Sequence, residues 1–187
     1  MKRRTFLLAL TGALVSSSTE AQQAELWSAL QAGGVAILLR HAQTEPGIGD
    51  PPGFRLGDCS TQRNLSEEGR RQARRIGEAL AARRVRIDAV RSSEWCRCLE
   101  TARLAFPERS IQPFPALNSF FDGRAAEPRQ TRELRAALAS IDGPGNVVFV
   151  THQVNIQSLT GETVGSGEAV LLRAARSAPD VLGRLAL

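Results

Sequence analysis

Two aliphatic runs govern what this chain can fold into. Residues 35–39 and 147–150 each lead straight into a polar pair, Arg40-His41 in "VAILLRH" and Thr151-His152 in "VVFVTH". A short aliphatic run bounded by turn formers reads as a strand buried on both faces, the pattern of a parallel sheet. Gly33-Gly34 precedes the first run, Pro46-Gly47 follows it, and the turn residues 142–145 open the second. In sheets of this kind ligands bind just beyond the carboxyl ends of the strands. The chain has two histidines, and both stand at such ends.

The remaining elements alternate around these runs. "SEEGRRQARRIGEALAARR" is a helix, with Ser66 as its N-cap and Ala73, Ile76 and Leu80 as its apolar stripe. "IDAVRSS" reads as a short strand, "EWCRCLETARLAF" and "TRELRAALASI" as helices, a further helix starts near Asn155, and "EAVLLRAA" and "VLGRLAL" are two last strands. The alternation predicts a three-layer α/β/α sandwich with a largely parallel central sheet, the last strands forming antiparallel edges. Residues 42–64 are rich in Gly, Pro and charge, too long for an ordinary connection, and are expected to form a binding loop or lid.

The N-terminus reads as an export signal. Residues 1–21 combine a basic start, an apolar stretch from Phe6 to Val15 and a small residue at Ala21, and the stretch is too short to span a bilayer. Arg3-Arg4 ahead of Thr5-Phe6-Leu7 resembles a twin-arginine signal, with Sec export as the alternative. Residues 22–187 then form one domain, expected in the periplasm or outside the cell with no stable membrane anchor after cleavage.

Composition narrows the chemistry. Lys2 is the sole lysine and tyrosine is absent, which excludes Schiff-base chemistry, a Walker lysine and a tyrosine nucleophile in the mature protein. The net charge is +5, and the arginine pairs at 70-71, 74-75 and 83-84 lie on the helix face expected to be solvated, so no nucleic-acid partner is expected. Three cysteines in an exported chain allow one disulfide and one free thiol. Cys96 and Cys98 point apart on a helix, so Cys59 is expected to pair with one or the other; no zinc spacing is present.

"SSEWCRCLETA" leaves a strand and enters a helix, with Ser93 near its start and Arg97 and Thr101 four residues apart on one face. A helix start beside a guanidinium suits an oxyanion, and Arg40 brings a second forked donor matched to phosphate.

These residues carry a resemblance. "LLRHAQT" resembles the Arg-His-x-x-Thr signature of the histidine phosphatase superfamily, and "LSEEGRRQA", "SSEWCRCLETA" and "VTHQ" are similar to its following blocks in the same order. The resemblance implies a phosphoglycerate-mutase-like fold and an exported phosphomonoesterase working through a phosphohistidine on His41, with no cofactor and no metal. His41 would attack while neutral, its other ring nitrogen held by a backbone carbonyl. Arg40, Arg97 and His152 would surround the phosphoryl group, with Thr44 and Arg63 as further phosphate contacts. Many members carry an acidic residue where "ALNSFFDGR" has Asn118, so Asp122 is the leading candidate for general acid and Glu94 the second. The expected partner is a phosphorylated small molecule or an envelope sugar phosphate. A non-catalytic phosphate-binding scaffold is the alternative, and a metallohydrolase built on His41 and His152 would need carboxylate or cysteine ligands beside both.

Overall fold

A computed structural model describes residues 13–173 and 179–187. Its elements in chain order are α1 (Ala13–Ala32), β1 (Val35–Arg40), α2 (Glu67–Ala82), β2 (Ile87–Ser92), α3 (Cys96–Ala105), β3 (Ile111–Pro113), α4 (Glu127–Ala139), β4 (Asn146–Thr151), α5 (Gln153–Thr160), β5 (Glu168–Arg173) and β6 (Asp180–Ala186). The sheet order is β3-β2-β4-β1-β5-β6. The first four of these strands run parallel to their neighbours, β5 pairs antiparallel with β1, and β6 antiparallel with β5.

The pleat explains the layers. Val35, Ile37 and Leu39 of β1 join Leu26, Leu30, Ile76, Leu80 and Ala102 in one apolar cluster, so α1, α2 and α3 cover one face. Ala36 and Leu38 point the other way, into a second cluster with Leu134, Leu138, Ile156 and Leu159 of α4 and α5. The central strand is therefore buried on both faces, as a continuous aliphatic run requires.

Helix α1 belongs to no element expected from the sequence. Its described part runs through the expected cleavage point after Ala21, while residues 1–12 of the expected leader lie outside the described residues. Leu26 and Leu30, which pack into the core, lie beyond that point. Asn146 at the head of β4 ties the region together: Nδ2 donates to Leu30 O and Arg86 O, and Oδ1 accepts from Val35 N–H.

Helix α2 starts where the sequence places it, with Ser66 Oγ accepting from Gly69 N–H at 3.0 Å and Glu67 and Glu68 in the first turn. Gly69 is required by close approach, because a Cβ there would collide with the Gln43 carbonyl. The same approach brings the loop after β1 against α2. That loop, residues 42–64, holds only a single 3-10 turn (Cys59–Thr61) and isolated bridges. A disulfide between Cys59 and Cys96 fastens it to the first residue of α3, and Cys98 is the free cysteine.

Candidate active site

Register brings the two histidines together. β1 and β4 are parallel neighbours with Arg40 opposite Thr151, so the next residue of each strand, His41 and His152, emerges at the same edge. Their ring centroids are 5.4 Å apart at 66°. His41 N–H donates to Thr151 O at 3.0 Å, and Ala42 N–H to Thr101 Oγ1 at 3.0 Å, which fixes the turn out of β1.

The hydrogen bonds leave one ring nitrogen of His41 free. Nδ1 of His41 lies 2.8 Å from its neighbour's carbonyl, Ala42 O, an acceptor only, so Nδ1 carries the proton and Nε2 the free lone pair. Burial, with the charge of Arg97 and then of Arg40 and Arg63, pushes the pKa of His41 down to about 3, against a smaller opposing effect of the Ala42 carbonyl. The imidazole is thus neutral, as a nucleophile must be. His152 is also held well below the usual histidine range, by burial and then by His41 and Arg97. Its Nε2 lies 2.9 Å from Ser93 Oγ, and its Nδ1 lies 3.5 Å from Arg97 Nη2.

Three guanidinium groups complete the floor, and each is tethered the same way. Nη1 of Arg40 donates to Val164 O at 2.8 Å, Nη1 of Arg63 to Gly47 O at 2.6 Å, and Nη1 of Arg97 to Asp50 at 2.8 Å. The Nε of all three is buried without an acceptor. Desolvation lowers the pKa of Arg40 and of Arg63, and a neighbouring arginine adds to the effect in each. Three guanidinium groups around one cavity, that of Arg97 paired with Asp50, give it a positively charged lining suited to an anion.

The cavity has a volume of about 430 Å³ and is lined by Arg40, His41, Arg63, Arg97, His152 and Asp122 among others. A larger one of about 590 Å³, between α2 and the end of α3, contains neither histidine. Thr44 is placed differently from the expectation: it pairs with Leu65 in an isolated bridge and is not among the residues lining the cavity. Glu94 is also outside the lining, its carboxylate accepting from Asn118 Nδ2 at 2.7 Å. At the start of α3 two amides are already engaged, Gln62 Oε1 taking Cys96 N–H and Asn118 Oδ1 taking Glu94 N–H. Among the described residues no group of three or more His, Cys, Asp or Glu is assembled that could hold a metal ion. The neighbours of the histidines are instead arginines, with Cys98 Sγ at 3.5 Å from His152 Nε2.

Two residues here escaped the sequence reading. Asp50 accepts from Arg97, Trp95 Nε1 and Arg63 N–H. Burial works against its ionisation, but these hydrogen bonds and the charge of Arg97 prevail and hold the carboxyl below its ordinary range. Its only signal was an acidic residue in a loop that also brings an arginine. Gln153 follows His152; its Oε1 accepts from Val164 N–H at 3.1 Å, while its buried Nε2, on a residue lining the cavity, has no partner. "VTHQ" contained it, but nothing in the chain order paired it with Val164.

Fold and site together define a class: an α/β protein with a neutral histidine and three arginines around one cavity at the carboxyl edge of its sheet. Residues 36–119 match the model of the histidine phosphatase superfamily (branch 1). The chain is similar in structure to a protein from Agrobacterium tumefaciens assigned as the phosphohistidine phosphatase SixA (24% identity, 82% of this chain and 99% of that one, TM-score 0.55). It is also similar to the alpha-ribazole phosphatase of Shigella flexneri (18%, 79% and 94%, 0.61). The phosphoserine phosphatase of Entamoeba histolytica is a further such structure (14%, 80% and 95%, 0.59). At these identities the likenesses are likenesses of fold. No curated protein matches the sequence.

Proposed function

We propose that this protein is an exported phosphomonoesterase that passes the phosphoryl group through His41. The observation that carries the reading is the free Nε2 of a neutral His41 beside three tethered arginines. In the first step the Nε2 lone pair forms a bond to phosphorus as the P–O ester bond breaks. Charge spreading over the equatorial oxygens is met by Arg40, Arg63, Arg97 and His152. The ring keeps its proton at Nδ1, and the Ala42 carbonyl stabilises the positive charge it gains. In the second step water attacks phosphorus, the N–P bond breaks, and inorganic phosphate leaves with His41 neutral again.

Asp122 is the acid of choice for the departing oxygen, because it lines the cavity while Glu94 is engaged by Asn118. Asp50, held ionised by Arg97, serves as counterion rather than acid. Export rests on the leader read from residues 1–21, and a pairing of Cys59 with Cys96 suits an oxidising compartment. The partner class is a phosphorylated small molecule, envelope sugar phosphates included.

The test is incubation of the mature protein and its His41→Ala variant with para-nitrophenyl phosphate. Turnover and an acid-labile phosphoprotein are expected for the first and absent from the second. A folded protein that binds phosphate but forms no phosphoprotein would instead be a phosphate-binding scaffold.

A further inference from the structure

The outer wall of the catalytic cavity differs in chemistry from its arginine floor. Large apolar side chains normally gain by burial, yet Ile48 is 91% exposed and Phe121 is 57% exposed, and both line this cavity. Among the described residues four large apolar side chains are exposed, and the two most exposed of them stand at this one mouth. They lie on opposite irregular segments that meet across the opening: a Cβ on Gly49 would lie 3.7 Å from Cε1 of Phe121. Val154, in the first turn of α5, adds apolar surface to the same wall. Neither Ile48 nor Phe121 belongs to the apolar clusters of the core. Apolar surface gathered at the mouth of a small-molecule cavity stabilises what enters it.

We infer that the leaving group of the substrate carries an apolar portion, of the size of an aromatic ring or larger, seated between Ile48 and Phe121 while its phosphoryl group rests on the arginines. This rests on the phosphatase reading and narrows it. The bond changes are those given above: the ester oxygen leaves with the apolar portion, and phosphorus passes to His41 Nε2. Sugar phosphates without such a portion are poor substrates in comparison.

Two measurements test the inference. The first compares kcat/KM for benzyl phosphate and 2-hydroxyethyl phosphate, whose leaving alcohols have similar acidity. The second compares calorimetric binding of benzylphosphonate and methylphosphonate, which need no turnover. The wild type is expected to prefer the benzyl compound about tenfold or more in both, chiefly through KM in the first. The double variant Ile48→Ser, Phe121→Ser is expected to lose that preference, the benzyl-to-hydroxyethyl ratio of kcat/KM and the benzyl-to-methyl ratio of phosphonate affinity both falling toward one. Equal use of the two esters by the wild type, or a preference that survives the double variant, overturns the inference alone. Absence of phosphoenzyme from every ester overturns the phosphatase reading, and the phosphonate pair then still decides whether the apolar wall selects its ligand. Phosphoenzyme formed from phosphorylated proteins but from neither ester overturns it in favour of a macromolecular partner.

Discussion

Arg97 donates through Nη1 to both carboxylate oxygens of Asp50, at 2.8 Å and 3.1 Å, and the two side chains are 5% and 4% exposed. A carboxylate in an anion site has two opposed effects. It repels the incoming phosphate, and it aims the guanidinium by holding one end, leaving Nε without an acceptor. Asp50→Ala separates them. Inorganic phosphate is expected to inhibit this variant at lower concentration than the wild type, while kcat falls by about tenfold or more because Arg97 is no longer aimed. Without phosphate the variant is also less stable, by about 3 kcal/mol, since a buried cation loses its partner. Inhibition kinetics and thermal unfolding with and without phosphate check both.

Gln153 reaches the cavity with an oriented amide. Val164 holds both it and Arg40, donating N–H to Gln153 Oε1 and accepting from Arg40 Nη1. Gln153→Leu is expected to lower kcat/KM by about 1–3 kcal/mol worth of lost hydrogen bonding, roughly fivefold to a hundredfold, and to lower the melting temperature as well, because the Val164 amide loses its acceptor. Gln153→Glu should be worse, because a carboxylate would face the phosphoryl oxygens. Steady-state kinetics on one ester decide it.

Acid should destabilise the free protein well before it removes the nucleophile. The folded pKa of His41 is lowered from 6.5 to about 3, so the unfolded chain takes up a proton that the folded one refuses. The stability due to its neutral form is complete above about pH 6.5 and is lost as pH falls toward 3. His152 is shifted in the same direction. Denaturant midpoints measured between neutral and acid pH should fall across this window, and fall less in His41→Gln. The phosphoenzyme should still form near pH 5, where an ordinary histidine is mostly protonated.

Cys59–Cys96 closes the loop that carries Asp50 and Arg63 onto the helix that carries Arg97. Cys59→Ser is expected to cost about 2–4 kcal/mol of stability. It should also raise KM, since both phosphate-site residues of the loop lose their anchorage. Burial pushes the pKa of Cys98 up to about 12, so the native protein should not react with a thiol reagent until it is unfolded. Titration with such a reagent in native and denaturing buffer checks the count.

Much of the architecture is local chemistry that linear order displays. The aliphatic runs that became β1 and β4, the Ser66 cap with the Ala73, Ile76 and Leu80 stripe, and the histidines at strand ends all follow from side-chain period and burial. That Arg40, His41, Arg97 and His152 gather at one edge of the sheet was legible for that reason, since Arg40 ends a strand, the histidines follow strands, and Arg97 lies in the first turn of the helix after one. The sequence alone left Cys59 free to pair with either cysteine, Asn118 without a role, and Asp50 and Gln153 unmarked. Only tertiary structure decided these, because each depends on a partner distant in the chain: Cys96 for Cys59, Glu94 and Ser93 for Asn118, Arg97 for Asp50, Val164 for Gln153. Periodicity records which face a residue buries. Which residues meet across an irregular loop is set by strand order and the path of the loop, and these leave no period in the sequence.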